Sequence, residues 1–168
     1  YVGCEVSLGT WAYTLLTESR GIASETAGLL TGSYWAFFTV GRVVAGLFAR
    51  RLGVHMLNQG SMLGALAGAL LLWWNPAPFT NMVAVALIGF AIAPIFPALM
   101  SGTSERVEPQ HAANTIGLQM AATGLGGAAT SALMGVLARR ISLEIIPVCL
   151  VLMFALLLML YRLSMRKA

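Results

Sequence analysis

The 168-residue sequence has little charge and few of the motifs on which enzymes depend. Only 10% of its residues are charged and 58% are hydrophobic, whereas about 25% of residues are charged in a typical soluble domain. Its two cysteines and two histidines have no metal-ligand spacing. It also has no His-Glu-x-x-His motif, no Gly-x-Ser-x-Gly motif and no phosphate-binding glycine loop. We therefore expect an integral membrane protein that is not an enzyme and binds neither a metal nor a cofactor.

The basic residues predict the orientation of the chain in the membrane. The net charge is +4, but Lys and Arg occur singly or in pairs near the ends of apolar runs, without a basic face that would suit nucleic acid. Cytoplasmic connections of membrane proteins are enriched in Lys and Arg. One side holds Arg50, Arg51, Arg106, Arg162, Arg166 and Lys167, and the other holds Arg20, Arg139 and Arg140. We expect the first side, and both chain ends, to face the cytoplasm from a plasma membrane, such as a bacterial inner membrane.

Six apolar stretches predict an all-α polytopic membrane protein. They are too long and too uniformly apolar for the strands of a membrane barrel, and they cover residues 1–17, 23–49, 55–74, 79–100, 112–137 and 143–163. Pro94 and Pro97 should kink the fourth helix, because proline lacks the backbone N–H and clashes one turn earlier. The polar stretch 101–111 should be the longest connection. The first stretch rises only about 24 Å, short of the ~30 Å hydrocarbon core, so we expect the chain to be a fragment.

Two charged residues lie inside predicted helices. Glu5 is in the first helix, and Arg42 is about 12 Å inside the cytoplasmic end of the second. A charge at this depth is costly unless it faces protein, water or an opposite charge, so it marks a functional pathway. A carboxyl in a low-dielectric site suits a proton-coupled carrier, which makes Glu5 the candidate for proton or ligand coupling. Arg42 is interpreted either as its ion partner or as an anchor that reaches a neighbouring helix or the cytoplasm.

Uncharged polar and aromatic residues recur at helical spacing. Tyr34 and Trp35 precede Arg42 by eight and seven positions, and Gln119 and Thr123 belong to a polar stripe on the fifth helix. Such residues suit a hydroxylated ligand, while aromatic packing and interhelical hydrogen bonding are the structural alternatives. The candidate substrate-binding residues are Trp11, Tyr34, Trp35, Phe96, Asn114, Gln119 and Thr123.

The turn after the second helix resembles a motif of a transporter family. Residues 46–53, Gly-Leu-Phe-Ala-Arg-Arg-Leu-Gly, are similar to the Gly-x-Leu-Ala-Asp-Arg-x-Gly loop in each half of the major facilitator superfamily. Gly46, Arg51 and Gly53 match the pattern, but Arg50 replaces an acidic residue that joins a cytoplasmic charge network in the family. The segments 1–5, 41–42 and 93–97 look more narrowly like the second half of the fucose permease group, which carries sugars with protons.

The resemblance covers all six predicted helices and implies both a partner and a function. Such carriers have two six-helix halves with the substrate held between them. A second half is therefore expected, on the same polypeptide or as a second copy. The implied activity is proton-coupled transport of a small polar solute, favouring a sugar, by alternating access. Two alternatives stay open: an exporter of drugs or metabolites from the same superfamily, and a non-transporting membrane scaffold or sensor. A polar cavity containing Glu5 and Gln119 would speak against the scaffold.

Overall fold

The computed structural model describes the backbone of residues 1–166 and the side chains in that range except those of residues 50, 104–106 and 166. The described residues form seven α-helices. They are α1 (Val2–Thr14), which continues into a π-helical turn (Leu15–Ser19), α2 (Ser24–Leu52), α3 (Val54–Trp74), α4 (Pro78–Ile92), α5 (Ile95–Arg106), α6 (Pro109–Arg140) and α7 (Ile145–Arg166). The core lies where α1, α3, α4 and α7 meet, and it includes the fully buried Leu8, Met62, Ile88 and Phe154.

The fourth predicted helix is divided into α4 and α5 at Ala93 and Pro94. Pro94 has no N–H to donate to the carbonyl of Phe90, so the helical ladder is interrupted there. The Phe90 carbonyl instead faces the backbone of Gly41 on α2, where a Cβ would collide with it. Pro97 lies in the first turn of α5, where a helix tolerates a missing N–H.

The connections are shorter than hydropathy predicts. The stretch 101–111 was expected to be a long polar connection, but α5 continues to Arg106 and α6 begins at Pro109, which leaves only residues 107–108. Similarly, α2 continues through the expected turn to Leu52, and Gly53, with φ +73°, alone joins it to α3. The reason is that hydropathy marks the part of a helix inside the hydrocarbon, whereas polar residues extend the same helix into the interface.

The helices pack as two three-helix repeats. α2 lies along α4 and α1 lies along α6, while α3 and α7 pack against each other. In this arrangement α1, α2 and α3 correspond to α4–α5, α6 and α7. Exchanging the two repeats converts the α2–α4 contact into the α6–α1 contact and leaves the α3–α7 contact unchanged. This is the internal symmetry expected of a half-transporter of the major facilitator type.

Glycines allow the paired helices to approach closely. A Cβ at Gly89 of α4 would collide with the backbone carbonyl of Tyr34 on α2. In the equivalent pair, a Cβ at Gly135 of α6 would collide with the ring of Trp11 on α1. Small residues at such crossings are the usual means by which membrane helices gain packing contacts.

Four of the described helical segments are long and apolar enough to cross a membrane: Val54–Trp74, Pro78–Thr103, Pro109–Arg140 and Ile145–Met165. α1 falls short because it has only 13 residues before the π-helical turn. α2 is long enough, with 29 residues, but it is interrupted by Arg42 and by polar residues. The chain is thus an all-helical polytopic membrane protein, and Glu5 and Arg42 lie in α1 and α2, the two helices that fall short of these criteria.

Arg20 joins four helix ends at the face opposite to Tyr1 and to the end of α7. Its side chain is only 5% exposed and forms a bidentate pair with Glu144, with bonds of 3.0 Å from Nε and 2.8 Å from a terminal nitrogen. It also donates to the side-chain oxygen of Asn81 and to the carbonyl of Leu72, the latter at 2.8 Å. The bond from Arg20 is the main cause of a lowered pKa for Glu144, and a bond from Ser19 adds to it. We call these residues the Arg20 clasp.

Candidate functional site

An aromatic and charged cluster lies on α1 and α2. The hydroxyl of the buried Tyr34 donates to the backbone carbonyl of Glu5 at 3.1 Å. One turn later Phe38 follows on the same face, and the guanidinium carbon of Arg42 lies 4.6 Å from the centre of its ring. A cation at this distance over an aromatic face is attracted by the ring quadrupole. The spacing of four residues therefore places Tyr34, Phe38 and Arg42 in one column.

Glu5 and Arg42 form no direct ion pair among the described side chains. Glu5 is half-buried and Arg42 is exposed. Both charges lie close enough to the hydroxyl of Tyr1 to act on it electrostatically. Arg42 thus lies over the Phe38 ring, and the Glu5 carboxylate lies beside the Tyr1 hydroxyl.

A cavity of about 500 Å³ lies between α1, α3, α5, α6 and α7. This volume is within the range of about 300–1,000 Å³ that is usual for small-molecule sites. Three of the predicted binding residues line it: Phe96 from α5, and Gln119 and Thr123 from α6. Phe96 stacks on Tyr1 with 6.2 Å between ring centres. The period of α6 brings its polar stripe to one wall of the cavity.

Gln119 has an amide oxygen without a partner. Its nitrogen donates to the hydroxyl of Thr103 at 2.8 Å, and that hydroxyl donates to the carbonyl of Leu99 at 3.0 Å. The amide orientation is therefore set by its neighbour, and its oxygen is left buried and unpaired. An unpaired buried polar group costs about 1–3 kcal/mol, which favours an incoming hydrogen-bond donor.

Asn58 on α3 is a cavity residue that the sequence analysis missed. It is 1% exposed, its side-chain oxygen has no hydrogen-bond partner, and it lines the same cavity. The available signal was an amide within an apolar helix, one turn after His55. Its significance depends on α3 meeting α7, where His55 Nδ1 and the Tyr161 hydroxyl are hydrogen-bonded at 3.1 Å.

The four other predicted binding residues do not line this cavity: Tyr34 belongs to the cluster on α1 and α2, and the other three are Trp11, Trp35 and Asn114. Trp11 donates from its indole nitrogen to the carbonyl of Ser131 on α6 at 3.1 Å, and so anchors α1 to α6. Trp35 is 46% exposed and stands edge-on to Tyr34, with 4.8 Å between ring centres. Asn114 is exposed on α6 and is not among the cavity residues. Glu5 also does not line the cavity, although its neighbours in α1 do.

The loop motif joins α2 to α3. Gly53 ends α2 with a positive φ, which glycine adopts without strain. Gly46 and Arg51 are exposed, and no atom comes within 4 Å of a Cβ placed at Gly46. The side chain of Arg50 is outside the described residues. Gly53 is the part of the motif with a visible structural role here.

Fold and cavity together define a class: a polytopic helical membrane protein in which both three-helix repeats contribute helices to a cavity that contains polar side chains. Comparison with known proteins agrees, because the family model of the Major Facilitator Superfamily matches residues 2–168. The chain belongs to this superfamily.

The similar curated proteins are longer than this chain. Bypass of stop codon protein 6 of Saccharomyces cerevisiae is 25% identical over 93% of the chain and 33% of its own length. Sodium-dependent glucose transporter 1 of Rattus norvegicus is 28% identical over 82% of the chain and 28% of its own length. Its Homo sapiens counterpart is also 28% identical, over 60% of the chain and 20% of its own length. The chain thus spans a third or less of the length of each of these relatives. No solved structure matches it at a significant level.

Proposed function

We propose that this chain is one six-helix half of a secondary active transporter that carries a small polar solute, favouring a sugar, by alternating access. The observation that carries the proposal is the cavity, where the side-chain oxygens of Asn58 and Gln119 lack hydrogen-bond partners within a membrane protein of a transporter superfamily. Buried unpaired amide oxygens weaken a scaffold but suit a site that is filled by a hydrogen-bonding solute. Sugar specificity is supported by the names of the rat and human relatives, which are glucose transporters.

A second six-helix half completes the site in this proposal. Large apolar side chains are exposed along α2 and α6, including Leu29, Leu47, Leu118, Leu125 and Leu133. Such surfaces require cover by lipid or by other helices. The relatives have ample length for another half, because the chain spans at most 33% of those compared. The second half is on the same polypeptide or is supplied by a second copy.

Transport is coupled to protons through Glu5 in this proposal. Its carboxylate is half-buried in α1 and close to Tyr1, which lines the cavity. A carboxylate so placed can also favour Na⁺, and the names of the rat and human relatives make Na⁺ the competing coupling ion. The two ions are distinguished by imposing either gradient separately.

The testing experiment measures solute uptake by the complete protein in proteoliposomes. With D-glucose as the first probe, an inward proton gradient should drive accumulation, and Glu5→Gln should abolish it while sparing solute exchange. Undiminished accumulation by Glu5→Gln would remove Glu5 from the coupling. Accumulation driven only by a sodium gradient would replace the proton as coupling ion, and accumulation of drugs on the outside would support the exporter alternative.

The scaffold alternative is less well supported than transport. Gln119 lines a cavity that contains polar side chains, which suits a transporter, whereas Glu5 does not line it although Val2 and Gly3 of the same helix do. A scaffold would leave the protein without uptake, efflux or exchange of any solute in the same proteoliposomes.

A further inference from the structure

We propose that a fissure between α2 and α3 binds an anionic phospholipid, with one acyl chain lying between the two helices and the phosphate at Arg51. The fissure shares no lining residue with the cavity that contains Asn58 and Gln119. The inference therefore depends neither on the transported solute nor on the coupling ion.

The fissure forms because α2 and α3 separate over α4. Gly53 alone joins the two helices, and each then packs along α4 while making few contacts with the other. The space between them has a volume of about 430 Å³, with α4 as its floor. We call it the α2–α3 fissure, and its walls include Gly41, Ala45 and Phe48 from α2, Met56 and Gly60 from α3, and Phe90 from α4.

Glycine keeps the middle of the α2–α3 fissure open. Gly60 lines it, and no atom lies within 4 Å of a Cβ placed at this position. Gly41 on the opposite wall has a different role, because a Cβ there would collide with the Phe90 carbonyl of the floor. Gly41 thus brings α2 down onto α4, while Gly60 leaves space that a side chain of ordinary size would occupy.

The lining of the α2–α3 fissure suits a hydrocarbon chain. Of the described residues that line it, only Ser61 has a polar side chain. α3 and α4 belong to segments that are long and apolar enough to cross a membrane. Water does not fill apolar spaces, and an empty fissure would lose van der Waals contacts along its walls. An acyl chain is the apolar group that the surrounding bilayer supplies.

The dimensions of the α2–α3 fissure match one leaflet of the bilayer. Along α2 its lining extends from Leu52 to Gly41, which is about 16 Å at the helical rise. One leaflet contributes about half of the ~30 Å hydrocarbon core. The outer edge is open, because Phe48, Leu52 and Met56 are 45%, 44% and 64% exposed. A lipid chain can therefore enter sideways and extend from the α2–α3 turn to the level of Gly41.

Arg51 lies at the mouth of the α2–α3 fissure and favours an anionic headgroup. It follows the lining residues Val44 and Phe48 by seven and three positions, so it lies on the same face of α2. It is also exposed at the end of that helix. A guanidinium forms strong hydrogen bonds with phosphate, and basic residues beside a membrane helix attract anionic lipids. A zwitterionic headgroup adds a cation of its own, which weakens this attraction.

Photo-crosslinking tests where the lipid lies. The complete protein is reconstituted into phosphatidylcholine vesicles with a trace of phosphatidylglycerol that has a diazirine near the end of one acyl chain. After irradiation, peptide mass spectrometry identifies the labelled residues, which should include Gly41 or Phe90 on the fissure walls. A probe with the same chain and a phosphocholine headgroup should label these residues about 5-fold less, which is the effect of one basic residue near the membrane surface.

Two substitutions separate the acyl chain from the headgroup. Gly60→Leu fills open space and should abolish labelling of the fissure walls by both probes, whereas Gly60→Ala leaves most of the space and should retain it. Arg51→Gln should lower labelling by the phosphatidylglycerol probe about 5-fold and leave the phosphocholine probe unchanged. Arg162→Gln is the matched control, because Arg162 is exposed on α7 and is predicted to lie on the same side of the membrane. Both probes should label it as they label the wild type.

Several results would overturn the inference. Labelling only outside the α2–α3 fissure would do so, as would equal labelling of its walls by the two probes in the wild type. A headgroup preference that survives Arg51→Gln, or one that Arg162→Gln removes equally, would also contradict it, and so would undiminished labelling in Gly60→Leu. If Gly60→Leu fails to fold, Arg51→Gln, at an exposed position, carries the test with the same two probes. The experiment requires no transport, so its result is independent of the proposed function.

Discussion

Arg20→Leu removes the guanidinium that joins four helix ends in the Arg20 clasp. The substitution leaves the side-chain oxygen of Asn81, which is 2% exposed, and the carbonyl of Leu72 without their donor. Each orphaned group costs about 1–3 kcal/mol, which gives about 2–6 kcal/mol for the pair. Glu144 adds little, because 45% of its side chain is exposed and water can replace Arg20.

The unfolding midpoint in detergent or lipid nanodiscs measures this loss. At about 2–4 °C per kcal/mol for a chain of this size, Arg20→Leu should lower the midpoint by roughly 5–20 °C. Glu144→Gln should cost only about 1 kcal/mol, because glutamine still accepts a bond and Arg20 keeps its other partners. Arg139→Ala, at an exposed position on the same side, is the control and should change stability by less than about 0.5 kcal/mol.

The contribution of the Glu144 carboxylate to folding stability should decrease as the pH falls. Its folded-state pKa is below the ordinary value of 4.5, because Arg20 stabilises the carboxylate. The stabilisation is therefore complete above pH 4.5 and is lost as the pH falls through the folded-state pKa. The difference in midpoint between the wild type and Glu144→Gln should shrink in acid. An equal loss for Arg20→Leu and Glu144→Gln at pH 7, or a difference that grows in acid, would refute this reasoning.

Three further predictions concern the helix contacts. Gly89→Ala should lower the free energy of unfolding by about 1–3 kcal/mol, because the added Cβ would collide with the Tyr34 carbonyl. The control Gly28→Ala, in open space on α2, should be neutral or stabilising. Equal unfolding midpoints for the two variants would contradict this prediction. Trp11→Phe should cost about 1 kcal/mol through loss of its bond to Ser131, and an unchanged midpoint would show that the bond does not stabilise α1 against α6. Pro94→Ala should restore a hydrogen-bond donor for the Phe90 carbonyl, and should slow solute uptake with little change in the affinity for the solute. An unchanged uptake rate would mean that the interruption between α4 and α5 does not serve the transport cycle.

Patterns within one helix were the most predictable from the sequence. The four-residue spacing of Tyr34, Phe38 and Arg42 predicts one face, and the cation–π contact shows that face in the structure. Gln119 and Thr123 reach the cavity for the same reason. Asn114 precedes Gln119 by five residues, which rotates it away from that wall. Whether these residues bind a solute stays a prediction.

Features that depend on the meeting of distant helices were not predictable. Arg20 appears in the sequence only as part of a polar turn, and its role arises because the ends of α1, α3, α4 and α7 converge. Asn58 becomes notable only when α1, α3, α5, α6 and α7 enclose it. Trp11 looked like a wall for stacking, but the position of Gly135 on α6 makes it an anchor. One sequence without its relatives contains no long-range pairing signal of this kind.

Solute counterflow in proteoliposomes tests most directly whether the cavity is the substrate site of a transporter. Vesicles that contain the complete protein are loaded with unlabelled D-glucose and diluted into labelled D-glucose, so that exchange concentrates the label without any ion gradient. The wild type should accumulate label transiently, and Gln119→Leu should need about 3- to 10-fold more solute for half-maximal exchange. Absence of counterflow with every neutral and charged solute tried, or an unchanged requirement in Gln119→Leu, would contradict the account.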